Sequence, residues 1–292
     1  MHLTLTLATA IISLPSGGRK VNFIEKLTGA TRKNKSLVCV GLDTDPNRIP
    51  GKIGIFEFNQ AIVEATSDLV CAYKLNFAFY EVQGDEGLDA LKRTIKFIPD
   101  DILVIGDAKR GDIGNTSKAY AQAIFDILNC DATTVNPYLG FDSIEPFIQY
   151  RDKGIFILCR TSNAGAMDFQ SLRCEVESGN RPLFELVALK AKEWNIHGNI
   201  GLVVGATYPE ELKLIRQSHP DMPLLIPGIG AQGGDLALTV RYGVDSQGER
   251  AIINSSRQII YAYPEKDFAQ AARRAATELR DQINYLLSTP AP

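Results

Sequence analysis

Histidine is scarce in this chain: the three present, His2, His197 and His219, are scattered without ligand spacing, which argues against a histidine-based metal centre. The five cysteines, Cys39, Cys71, Cys130, Cys159 and Cys174, are odd in number and show no C-x-x-C spacing. Three of them fall inside apolar strand-like runs, so they read as reduced, mostly buried thiols and set the expectation of a cytoplasmic protein. An excess of basic charge is also missing. Thirty-one Lys and Arg face 34 Asp and Glu, leaving a formal charge of −3, and no basic cluster is interleaved with aromatics as a nucleic-acid partner would require. The apolar stretch Leu3–Leu14 has no basic segment before it, only His2, and is too short to span a bilayer. Residues 1–20 therefore read as a dispensable extension, and residues 21–292 as one catalytic domain with no membrane association.

Apolar strand-like runs with amphipathic helical patterns between them are what the chain does have. The eight runs are Leu37–Leu42, Leu69–Leu75, Ile102–Gly106, Ala132–Val135, Ile155–Cys159, Ile200–Val204, Leu224–Pro227 and Ala251–Asn254. Eight strands each followed by a helix close into a single (β/α)8 TIM barrel, whereas a doubly wound sheet typically has five or six. The long polar connection Thr161–Arg181 after the fifth run reads equally as an active-site loop or as a decorative insertion.

In a barrel the chemistry lies where strands give way to loops at their carboxyl ends, and here those ends are polar. The third run opens into Asp107-Ala108-Lys109-Arg110-Gly111-Asp112, in which the i, i+2 spacing would project Asp107 and Lys109 to one side. With Lys74 at the end of the second run, Lys74, Asp107, Lys109 and Asp112 can make an alternating row of cations and anions. In such a row the lysines favour the ionised carboxylates and the carboxylates hold the ammoniums charged. That arrangement suits a reaction developing a carbanion beside a proton donor. The glycine-rich loop after the seventh run, which includes Gly230 and Gln232, and the Asn254-Ser255-Ser256-Arg257 turn after the eighth combine backbone N–H donors, hydroxyls and a guanidinium. This is the equipment of a phosphate site.

The segment Asp107-Ala108-Lys109-Arg110-Gly111-Asp112-Ile113-Gly114-Asn115-Thr116, with Lys74 and Asp43 on earlier strands and the two phosphate loops, resembles the orotidine 5′-phosphate decarboxylase family. The likeness runs from about Phe23 to Ile260. Thr134-Val135-Asn136-Pro137-Tyr138-Leu139-Gly140 is similar to the longer, type 2 branch. The resemblance implies cofactor-free decarboxylation of orotidine 5′-monophosphate to UMP, the last step of de novo pyrimidine nucleotide synthesis, in a homodimer with shared active sites. It implies Lys109 as proton donor to pyrimidine C6, Asp107 beside the departing carboxyl group, and Lys74 holding Asp107 and contacting the ribose. It further implies Asp112, with Ile113 and Thr116, reaching into the neighbouring subunit's site, Asp43 on the ribose, Ser162 on the pyrimidine edge, and Gln232 and Arg257 on the phosphate. Gly114 stands where many relatives have proline, and Asn163-Ala164 where some have His-Pro. Three rivals remain at this point: a magnesium-dependent sugar-phosphate enzyme of the same superfamily, which would place an acid where Lys74 stands; a Schiff-base aldolase; and a non-catalytic phosphate-ligand barrel.

Overall fold

The computed structural model describes residues 21–51, 53–176, 179–229, 233–262 and 267–289. The extension expected over residues 1–20, and Gly230 and Gln232 of the phosphate loop, lie outside the described residues.

Among the described residues, ten strands form in chain order. They are β1 (Val38–Gly41), β2 (Ala72–Asn76), β3 (Leu103–Arg110), β4 (Ala132–Val135), β5 (Gly154–Arg160), β6 (Arg173–Val176), β7 (Gly179–Pro182), β8 (Ile200–Val204), β9 (Leu224–Pro227) and β10 (Ala251–Ser255). Eight of them close into a parallel barrel in the order β1-β10-β9-β8-β5-β4-β3-β2, so the fold is the (β/α)8 barrel expected from the eight runs. The remaining two, β6 and β7, pair antiparallel within the long connection after β5. Its described residues also carry a short 3-10 turn at Ala164–Asp168, so the connection holds regular structure that its polar composition does not signal.

Alternation along the strands divides the core in two. Val38 and Val40 pack in the large layer beneath the surrounding helices, whereas Cys39 between them points into the barrel; Val104 and its neighbours Leu103 and Ile105 divide the same way. The barrel interior is closed at its amino-terminal end by the helix Phe23–Asn34, which contributes Phe23, Leu27 and Ala30 to the inner cluster. Asn22 and Glu25 form a capping box at the start of this helix, and Lys26 pairs with Asp131 at 2.6 Å just before β4. The Phe23 ring meets Phe156 edge to face, 5.6 Å between centroids. It also lies over Gly154, where a β-carbon would come within 2.6 Å of the ring, so the first residue of β5 has to be glycine for the helix to seat. With that end sealed, the opposite, carboxyl-terminal end is the one left to bind. Among the described residues, no helix is long and apolar enough to cross a membrane.

Candidate active site

A cavity of about 290 Å³ opens at the carboxyl ends of the barrel strands. Of the residues singled out from sequence, Lys74, Asp107, Lys109, Asp43, Ser162 and Arg257 line it. Asp112, Ile113 and Thr116 do not: the Asp112 carboxylate accepts from the Ile113 N–H at 2.7 Å, and the Ile113 side chain is exposed on the outside of the loop.

Asp107 is the centre of the site. One carboxylate oxygen accepts from Lys74 Nζ at 2.9 Å; the other accepts from Lys109 Nζ at 2.6 Å and from the Thr134 hydroxyl at 2.8 Å. Lys74 reaches in the other direction to Asp43, 3.3 Å away. The charged row within one chain is thus Asp43, Lys74, Asp107, Lys109, with Asp43 and not Asp112 as its second anion. Burial pushes the Asp107 carboxyl upward, but the two ammoniums and their hydrogen bonds outweigh it and hold the group below the usual carboxylate range. Lys74 shows the mirror image: burial pulls it down, and Asp107 and Asp43 hold it above the ordinary lysine value.

Lys109 does not reach Asp107 by simple strand alternation. The β3–β4 register shifts between Gly106 and Arg110, and Lys109 takes a left-handed φ of 49°. Its backbone N–H is held at 3.0 Å by the same Thr134 hydroxyl oxygen that donates to Asp107. Thr134 therefore fixes both the Asp107 carboxylate and the backbone of Lys109. It was not among the residues expected at the site, because an uncharged hydroxyl in an apolar run gives no charge signal. Its place at the inner carboxyl end of the fourth run was the available clue.

The opposite wall is built from the loops after β9 and β10. Gly228 has φ 104°, a conformation that glycine adopts without strain, and Gly234 packs so closely on Ala206 and the Gly228 carbonyl that a β-carbon would collide with both. Among the described residues, Asn254 Oδ1, Ser255 Oγ and Ser256 Oγ are buried without a hydrogen-bond partner, a concentration of unmet polar atoms typical of ligand sites. Arg257 begins the short helix Arg257–Ile260 beside them. Ser162 lies beside this wall, its hydroxyl 3.5 Å from the Pro227 carbonyl oxygen.

The sequence model of the orotidine 5′-phosphate decarboxylase / HUMPS family matches residues 36–275, which include every strand of this barrel. The chain belongs to that family. An orotidine 5′-phosphate decarboxylase of Dehalococcoides mccartyi is 57% identical over 265 residues, covering 91% of this chain and 98% of its own length. Among solved structures, the OMP decarboxylase of Leishmania donovani superposes with a TM-score of 0.81 at 40% identity, covering 91% of this chain and 99% of that one. The UMP synthase of the same organism gives a TM-score of 0.84 at 41% identity over 93% of this chain, which spans 58% of the length of that larger protein.

Proposed function

We propose that this cavity decarboxylates orotidine 5′-monophosphate to UMP, the last step of de novo UMP synthesis, without a cofactor. The observation that carries the reading is Asp107, a buried carboxylate held ionised between two ammoniums at 2.9 and 2.6 Å. Breaking the bond between C6 and the carboxyl carbon releases carbon dioxide and leaves the electron pair on C6. Lys109 then delivers its proton to C6 and recovers one from solvent. Charges already fixed in place stabilise the developing anion without the reorganisation that water would require. Asp107 lies against the departing carboxyl group, Lys74 and Asp43 hold the ribose, Ser162 meets the pyrimidine edge, and Arg257 with the loop carrying Gly230 and Gln232 takes the phosphate. Binding energy from that distant phosphate helps to position the ring.

The magnesium-dependent alternative is less well supported. Lys74 occupies the end of β2, and its ammonium lies within hydrogen-bond distance of both cavity carboxylates, which disfavours a divalent cation between them. The Schiff-base alternative meets the same geometry, since an ammonium held charged by carboxylates is a poor nucleophile.

The active unit of this reading is a homodimer in which Asp112, Ile113 and Thr116 complete the partner's site. The exposed apolar side chains of Ile113, Tyr138 and Leu139, on adjoining loops after β3 and β4, support a surface that is covered in use. Buried free thiols support a cytoplasmic setting. Loss of orotidine 5′-monophosphate absorbance on adding purified protein in the presence of a chelator tests the whole reading. No change would sink it, and magnesium-dependent turnover of a sugar phosphate would replace it.

A further inference from the structure

Arg160, the last residue of β5, is 1% exposed and among the described residues is the largest side chain buried so completely. A guanidinium so placed is costly unless fully paired. It is paired: Nε donates to Glu211, in the first turn of the helix Pro209–Ser218, and the guanidinium stacks 3.8 Å above the Tyr208 ring. Its Nη1 points at the side-chain oxygen of Gln170, 3.4 Å away in the connection after β5. None of these residues lines the cavity, yet Thr161, Ser162 and Asn163, which follow Arg160 directly, all do.

Gln170 connects the two groups, and its hydrogen bonds have a direction. Its Oε1 accepts from Arg160 and, at 2.9 Å, from the Thr161 backbone N–H. Its Nε2 is thereby turned to donate to the Thr161 hydroxyl oxygen at 2.8 Å. With its oxygen already accepting, the Thr161 hydroxyl donates onward to Asn163 Oδ1 at 2.6 Å. Asn163, which lines the cavity, has its amide oxygen engaged at the end of this relay, which leaves its N–H2 group to donate to a bound molecule. We infer that Gln170, anchored by Arg160, is a positioning residue that orients Asn163 as a hydrogen-bond donor to a carbonyl of the pyrimidine. The inference rests on the reading of the site given above and names what recognises the base within it.

Gln170→Glu is the discriminating variant. A carboxylate still accepts from Arg160 and from the Thr161 N–H, so the fold is retained, but it cannot donate. The Thr161 hydroxyl then turns to donate to the new carboxylate, and Asn163 loses its orientation. The expected result is an unchanged melting temperature, a kcat within about twofold of the unaltered protein, and a rise of about five- to tenfold in KM and in the Kd for UMP. The Kd for ribose 5-phosphate, which has no base, should be unchanged. Asn163→Ala should reproduce the same loss alone and add nothing to it in the Gln170→Glu background. Unchanged UMP affinity, an equal loss for ribose 5-phosphate, or additive effects of the two substitutions would each overturn the inference. Turnover by the unaltered protein is a separate control. Its absence would remove the decarboxylase reading, while the comparison of UMP with ribose 5-phosphate would still judge the relay.

Discussion

Gly205, just past β8, lies directly behind Ser162: a β-carbon at Gly205 would overlap the Ser162 hydroxyl oxygen and come within 3.0 Å of the Ser162 backbone nitrogen. The backbone N–H of Gly205 also donates to the Arg160 carbonyl at 2.7 Å, which brings the two chain segments together at this point. The seat of Ser162 in the cavity therefore depends on the missing side chain of its neighbour.

Gly205→Ala is expected to push the Ser162 segment toward the cavity. Overpacking of this kind costs about 1–3 kcal/mol, and the displaced wall should raise KM for orotidine 5′-monophosphate more than it lowers melting temperature. Steady-state kinetics beside thermal denaturation checks this. Unaltered KM would mean that the loop absorbs the methyl group without moving Ser162.

Lys109→Ala should abolish nearly all turnover while UMP binding persists, because under the proposed function the proton donor is lost and the phosphate wall is untouched. Lys109→Gly should be equally inactive but more stable than the alanine variant by about 1 kcal/mol, since glycine adopts the left-handed conformation of this residue without strain. Equal melting temperatures for the two variants would show that the backbone at this position is not strained.

The charged row sets the pH dependence. Asp107 titrates below its unfolded value near ~3.9, so its contribution to stability is complete above that pH and is lost as pH falls through the lower folded value. Lys74 titrates above its unfolded value near ~10.4, so its contribution is present below that pH and is lost as pH rises through the higher folded value. Between these limits Asp107 and Lys74 stay ionised, and the acid limb of kcat/KM should follow the second ionisation of the substrate phosphate at about pH 6. A second limb between about pH 4 and 5 would give Asp107 an ordinary carboxylate value. Lys74→Met, which removes one of the two ammoniums, should lower stability by about 3–5 kcal/mol and move acid unfolding to higher pH.

Arg257→Ala should weaken phosphate binding and with it kcat/KM, by about 30-fold or more if a desolvated charge pair of about 2–5 kcal/mol is lost. Added guanidinium should restore part of the activity. If the advantage of a phosphorylated over an unphosphorylated ligand survives in this variant, the phosphate is bound elsewhere.

Asp112→Ala and Lys109→Ala homodimers should both be nearly inactive. If the sites are shared as proposed, both defects in a hybrid of the two fall in one site and the other site is intact. Random exchange makes about half of all dimers hybrids with one good site each, so the mixture should recover up to about a quarter of full activity. Subunit exchange verified without recovery would assign Asp112 to its own chain's site.

Local pattern was enough to specify the architecture and to mark which strand ends carry charge. Runs such as Ile200–Val204 and Leu224–Pro227 are apolar throughout because both faces of a parallel strand are covered, and this imprint is carried by neighbouring residues alone. Lys74, Asp107, Lys109 and Arg257 were legible for the same reason, since charge at the end of an apolar strand stands out without knowledge of what faces it. Only barrel closure decided which residues meet. It placed Asp43 instead of Asp112 beside Lys74, and brought the Thr134 hydroxyl between Asp107 and the left-handed backbone of Lys109. It also set Gly205 behind Ser162 and ran the relay from Arg160 through Gln170 to Asn163. These contacts depend on the stagger between adjacent strands and on register shifts in β3 and β5. A bulge re-aims side chains through tertiary pairing, and neither Thr134 nor Gly205 carries a local signal of the partner it will face.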